Sequence, residues 1–207
     1  MEKRLILVCC GNFGRELINW ANDAGPEHAF SGFLDTNQNA LDGYSYKLPW
    51  LGAVDDFVPK SGDQLVIAIA DPKDKRAVVQ KLKKVGATFA KFIHPSALIA
   101  KSSVLGEGVV VFPHSVISCD THLGDFVSIN GLSGIGHDVR IGDYSTISAH
   151  VGLTGYVQVG ESVFIGVGAK VLPKVKIGNN AKIGAGALVV RTVPENAVMY
   201  SPPSKRL

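Results

Sequence analysis

The chain has 207 residues, 46% of them apolar, and a formal net charge of +3; this excludes an extended disordered chain and leaves room for one large domain or two small ones. Its 21 basic and 18 acidic residues form no block of like charge, so neither nucleic acid nor an anionic membrane is expected as a partner. The three cysteines, two of them adjacent at Cys9 and Cys10, match no disulfide framework and no metal-ligand spacing, which points to a reducing cytoplasm and to no metal site.

The chain opens on Met1-Glu2-Lys3-Arg4 and a short apolar run that ends at Cys10. That run is too short for a secretory signal, and no apolar stretch reaches membrane-spanning length, so a soluble cytoplasmic protein without membrane insertion is expected. Residues 4–10 read as a buried strand, 11–14 as a turn, 15–24 as a helix and 30–35 as a second strand ending in an acid. Residues 36–60 are rich in Gly, Pro and Asp and read as loops with one short strand. A third strand over 64–71 leads into a helix over 72–85, with Pro at its start and Gly86 just past its end. A last strand over 87–92 completes a small parallel α/β sheet of Rossmann-like kind.

From Ile93 the texture changes. Stepping six residues at a time as far as Val189 meets an aliphatic side chain at all seventeen positions. The position two residues earlier is small or β-branched at every step from Ala97 to Ala187. Two inward positions separated by one outward residue is strand periodicity, and the six-residue step places a turn after each short strand. Turn chemistry agrees, as in Ile141-Gly142-Asp143 and Ile177-Gly178-Asn179. The expected division is therefore an α/β unit over 1–92 and an all-β unit of short parallel strands over 93–207. The pattern resembles the hexapeptide-repeat family, in which three hexads make one triangular coil; that resemblance implies nearly six coils and a prism roughly 27 Å long.

Two places carry chemistry. Gly11, Asn12, Phe13 and Gly14 follow a strand and open a helix, where backbone amides and the helix dipole can hold a phosphate. Asp35 lies at the end of the second strand, where an acid can accept from a sugar hydroxyl. Cys9 stands where a G-x-G-x-x-G motif would have its first glycine, so a plain strand-to-helix turn stays open beside nucleotide binding. The second place is Gly136-His137-Asp138 in the turn after Ile135. An imidazole beside a carboxylate can take up a proton with the acid favouring the imidazolium. A surface histidine beside a turn aspartate is the alternative. A corner of such a prism is not covered by its own chain, so a cleft there needs a second subunit.

The run from Ser128 to Asp143, with Asn130 seven residues before His137, resembles the sugar O- and N-acyltransferases with hexapeptide repeats, typified by nucleotide-sugar N-acetyltransferases and sialic-acid O-acetyltransferases. The likeness extends over the α/β unit, the hexads and the closing Tyr200-Ser201-Pro202-Pro203-Ser204-Lys205. It implies a left-handed parallel β-helix and a homotrimer. It also implies acetyl-CoA as co-substrate, with a nucleotide-linked 4-amino-4,6-dideoxy sugar as acceptor. In that family the matching histidine is the base, so His137 and Asp138 are the expected catalytic pair. Gly11, Asn12, Phe13, Gly14, Asp35 and Asn130 are the expected substrate contacts, and Gly155, Val167 and Ala185 lie where the cofactor runs between neighbouring β-helices. Thr146 occupies the place where many members carry a second histidine near the thioester. The implied reaction is N-acetylation in bacterial glycan synthesis by direct transfer. Its rivals are O-acetylation on the same fold, a metal enzyme like γ-type carbonic anhydrase using His114, His122 and His137, and a non-catalytic nucleotide-sugar-binding module.

Overall fold

The computed structural model describes residues 3–202, so Pro203, Ser204 and Lys205 of the closing segment lie outside the described residues. The apolar run RLILV forms strand β1, Arg4–Val8, one of the two inner strands of a four-stranded parallel sheet. Its neighbours are β2, Gly32–Leu34, and β4, Asp63–Ile67, with β3, Trp50–Gly52, outside β2. The edge strand β3 is the one short strand expected in the 36–60 stretch. Helix α1 spans Asn12–Ala24 and α2 spans Pro72–Lys84.

Several boundaries differ from the sequence reading, each for a local reason. Helix α1 starts at Asn12 with Gly11 as its N-cap, so Asn12, Phe13 and Gly14 form its first turn instead of a loop. The third strand stops at Ile67 because Asp71 is committed to capping α2: its carboxylate accepts the amides of Lys73 and Asp74. Residues 87–92 give the sheet only an isolated bridge, Leu65 to Phe89. Phe92 and Ile93 already form the first rung of the next unit, paired with Val110 and Val111.

That unit is a left-handed parallel β-helix of hexapeptide repeats with two-residue rungs in three sheets of seven, six and five strands. The seven-stranded face runs from Phe92–Ile93 to Val198–Met199, the six-stranded face from Leu98–Ile99 to Leu188–Val189, and the five-stranded face from Val104–Leu105 to Lys176–Ile177. Ile129 pairs with Ile147 and Ile147 with Ile165, an offset of three hexads. The aliphatic series therefore stacks into one continuous core with the smaller β-branched series between. After Val189 the coil shortens, because Ile177 meets Val193 and Ile183 meets Met199.

The turns differ from expectation in an instructive way. The residue in the left-handed region is the third after each aliphatic. That position has positive φ at every step from Gly108 to Gly186, and Gly108, Gly168 and Gly186 are its only glycines. The glycine directly after the aliphatic answers a different need: a Cβ on Gly142 would lie 2.6 Å from the amide nitrogen of Glu161 in the next coil. Glycine is selected there by coil-to-coil approach. The acid that follows closes a ladder, with Asp125 Oδ1 accepting the Glu107 amide and Asp143 Oδ1 accepting the Asp125 amide, both at 2.8 Å.

The α/β unit covers the first part of the seven-stranded face. Phe13 stacks on Phe112 with ring centroids 5.0 Å apart, and Phe89 meets Phe126 edge-on at the same separation. Between these contacts Lys75 of α2 enters the wall of the β-helix. Its ammonium donates to Ser128 Oγ at 2.9 Å, Thr146 Oγ1 at 2.8 Å and the Phe126 carbonyl at 3.1 Å. Burial pulls this lysine down to about 7, only partly opposed by Asp71.

Candidate active site

His137 follows the rung Gly134–Ile135, at the corner between the six- and five-stranded faces. Its side chain is half exposed, and Nδ1 lies 2.9 Å from Asp138 Oδ2. An ionised carboxylate only accepts, so this contact holds the neutral ring with its proton on Nδ1 and leaves Nε2 as the basic nitrogen. One coil further on is Gly155, where an ideal Cβ would lie 2.5 Å from His137 Nε2. The imidazole occupies the space a side chain would need. No aspartate ladder is built at this corner, and among the described residues nothing accepts the Gly155 amide. A basic nitrogen and a free N–H thus sit side by side, the pairing that deprotonation of a nucleophile and support of an oxyanion require. Tyr156 completes the surroundings, its ring edge-on to the imidazole at 5.1 Å.

Asn130 sits at the other edge of the six-stranded face, after the rung Ser128–Ile129. It lines a cavity of about 320 Å³ with Trp20, Phe112, Pro113, His114 and Leu132. Two polar atoms on this cavity's lining residues, Asn130 Oδ1 and Trp20 Nε1, are buried and unpartnered. Buried donors and acceptors are normally satisfied, so an orphan of each kind on one cavity fits a ligand carrying both. Val167 and Ala185 share this corner of the prism and line a second trough with Phe164, Lys182 and Tyr200. One chain therefore places His137 and Gly155 on one corner and Asn130, Val167 and Ala185 on another.

The remaining sequence candidates lie in the α/β unit. Gly11 and Asn12 are exposed, and no side chain caps α1 and no acid lies in its first turn. The amides there are open to an anion, beside the point where strand order turns from β2 to β4 around β1. Arg15 lies over the ring of Tyr44 at 4.1 Å and donates to Asn12 Oδ1 at 2.6 Å. Asp35 accepts the Cys10 amide through Oδ2 at 2.7 Å and the Asn37 amide through Oδ1 at 2.9 Å. Burial, with Asp35 adding, pushes the Cys9 and Cys10 thiols up to about 12, which makes them poor nucleophiles.

Two expectations are corrected by this geometry. Phe13 is 8% exposed and stacked on Phe112, so its side chain is closed to a substrate. Thr146 is 1% exposed with its hydroxyl on Lys75, so its side chain is closed to a cofactor; the α/β unit covers that part of the face. Among the described residues no group of three His, Cys, Asp or Glu is placed to share a metal ion. None of their helices is long and apolar enough to cross a membrane.

Sequence and structure comparisons bear on the fold and the class of protein. The family model described as bacterial transferase hexapeptide (six repeats) matches residues 120–155 and again 156–191. PerB from Caulobacter crescentus, solved with CoA and GDP-perosamine, is 29% identical with a TM-score of 0.86, over 98% of this chain and 96% of that one. An asparagine-for-histidine variant of perosamine N-acetyltransferase from the same organism, also with CoA and GDP-perosamine, is 27% identical with a TM-score of 0.84, over 98% and 95% of the two chains. The acetyltransferase domain of PglB from Neisseria gonorrhoeae, solved with acetyl coenzyme A, shares the fold at 24% identity and a TM-score of 0.85, over 100% of both chains. No curated protein matches by sequence. The repeat match and these likenesses over almost the whole chain support an acyltransferase with hexapeptide repeats. The likeness to the sugar N-acetyltransferase structures runs through both the α/β unit and the β-helix, since it covers 98% of this chain.

Proposed function

We propose that the protein transfers an acetyl group from acetyl-CoA to the amino group of a nucleotide-linked 4-amino-4,6-dideoxy sugar, in the cytoplasm and as part of bacterial glycan synthesis. The observation that carries this reading is the His137 corner, where Nε2 stands free beside the unpaired Gly155 amide while Asp138 holds the other ring nitrogen. His137 takes the proton from the attacking amine. The amine nitrogen adds to the thioester carbon, the Gly155 amide supports the oxyanion, and the thiolate leaves as the carbonyl reforms. A base so placed contributes roughly 10² to 10⁴ in rate, and an oxyanion donor about 3 to 4 kcal/mol.

The two ends of the substrate have separate supports. The open N-terminus of α1, Arg15 and Asp35 suit the diphosphate and ribose of a nucleotide, and the cavity at Asn130 and Trp20 suits a sugar. Because Asn130 and His137 stand on opposite edges of one prism face, a site that uses both takes them from different chains. A trimer with the acetyl donor running between neighbouring β-helices, along Gly155 of one chain and Val167 and Ala185 of the next, satisfies this. The test is thiol release from acetyl-CoA with UDP-, dTDP- and GDP-linked 4-amino-4,6-dideoxy sugars beside their 4-hydroxy counterparts. Release with an amino sugar alone supports the reading. Release with a hydroxy sugar alone replaces it with O-acetylation, and silence across the panel refutes the acceptor class.

A further inference from the structure

An L-residue with a large side chain pays a conformational cost in the left-handed region, of about 1 to 2 kcal/mol. Four positions of the turn series hold a large apolar or aromatic residue: Phe126, Leu132, Tyr144 and Tyr156. Phe126 and Tyr144 stack on each other at 5.5 Å, and Arg76 of α2 lies over Tyr144. Leu132 lines the cavity beside Asn130. Tyr156 is half exposed at φ +64°, and the ring it touches is the imidazole of His137.

We infer that Tyr156 is a positioning residue for His137. The imidazole would otherwise be steered only at Nδ1, because Gly155 gives it a floor but no wall. An edge-on ring at 5.1 Å with an interplanar angle of 90° restricts rotation about the bond that carries the imidazole and keeps Nε2 beside the Gly155 amide. The two turns are tied together by the Tyr156 amide, which donates to the His137 carbonyl at 3.1 Å, so ring and imidazole share one frame. The phenol hydroxyl has no part in this role. The inference rests on the reading of His137 as the base.

The experiment compares Tyr156→Gly and Tyr156→Phe with the wild type, each also in a His137→Ala background. Glycine relaxes the left-handed turn, so the fold is not at risk. Tyr156→Gly should lower kcat by about tenfold to a hundredfold with both KM values within about twofold. Tyr156→Phe should stay near wild type, and Tyr156→Gly should add nothing once His137 is gone. A readout independent of turnover is the ring signals of ¹⁵N-histidine-labelled protein. Those of His137 should shift and broaden in Tyr156→Gly, while the other histidines are unchanged. Unchanged kcat with unchanged His137 signals overturns the inference, as does an equal loss in Tyr156→Phe or an undiminished effect in His137→Ala. If no acceptor is acetylated yet the His137 signals respond, the reaction assignment fails and the positioning role stands.

Discussion

A methyl group added at Gly155 would compete with the His137 imidazole for the same volume, since an ideal Cβ lies 2.6 Å from Cε1 as well as 2.5 Å from Nε2. The ring is an exposed side chain and can swing away, so Gly155→Ala should keep its thermal midpoint and lose activity by about a hundredfold, the penalty expected for a misplaced catalytic group. A retained kcat with an altered melting curve would contradict this. Asp138→Asn should cost less than loss of the ring itself. The amide can meet Nδ1 as a donor or an acceptor, so the tautomer is no longer fixed. At this scale the sequence made the pair legible, because His137 and Asp138 are adjacent. Gly155 entered only through family resemblance, and Tyr156 not at all, since eighteen or so residues separate stacked corners and no local motif joins them.

Helix α2 and the rungs carry the next scale. Pro72, Lys75, Val79 and Leu82 are its buried residues, a three- and four-residue spacing that marks one face, and Lys75 is the cation on that face. Its folded value of about 7 stands below the ordinary value of 10.5, so the unfolded chain holds more protons between these limits. Stability therefore rises as pH increases from about 7 to 10.5, and the penalty for the buried charge is fully present below about 7. The difference in unfolding free energy between wild type and Lys75→Met should grow in favour of wild type across that window; a difference that is flat with pH would contradict burial of a titrating ammonium. Ile147, fully buried in the middle of the aliphatic ladder, should lose about 2 to 5 kcal/mol on replacement by Ala in denaturant unfolding. The outward Gln158→Ala should stay within about 0.5 kcal/mol. The hexad ladder could be read from the sequence because each rung repeats one physical demand. Which face the α/β unit covers could not, since Thr146 and Ser128 look like any outward rung residues until Lys75 reaches them. The early start of α1 was hidden for a related reason: Gly11 and Gly14 suggested a loop, whereas one caps the helix and the other is buried in its first turn.

For the whole molecule the decisive feature is that the proposed site is divided between two prism corners. In a trimer with shared sites, Asn130→Ala and His137→Ala chains should each be nearly inactive alone. Co-expressed in equal amounts they should regain activity, because about a quarter of the interfaces then join an intact His137 to an intact Asn130. No recovery in verified mixed trimers would place the site within one chain. The sequence pattern alone already raised the expectation that this corner needs a neighbour. It did not show the aromatic junction of Phe13 with Phe112 and Phe89 with Phe126 that fixes the α/β unit against the prism, because those contacts join segments far apart in the chain. The most direct measurement is steady-state thiol release by wild type and His137→Ala with a nucleotide-linked amino sugar. A fall in kcat of about 10² to 10⁴ with an unchanged fold is the predicted result, and near-full turnover without the imidazole would contradict His137 as the base.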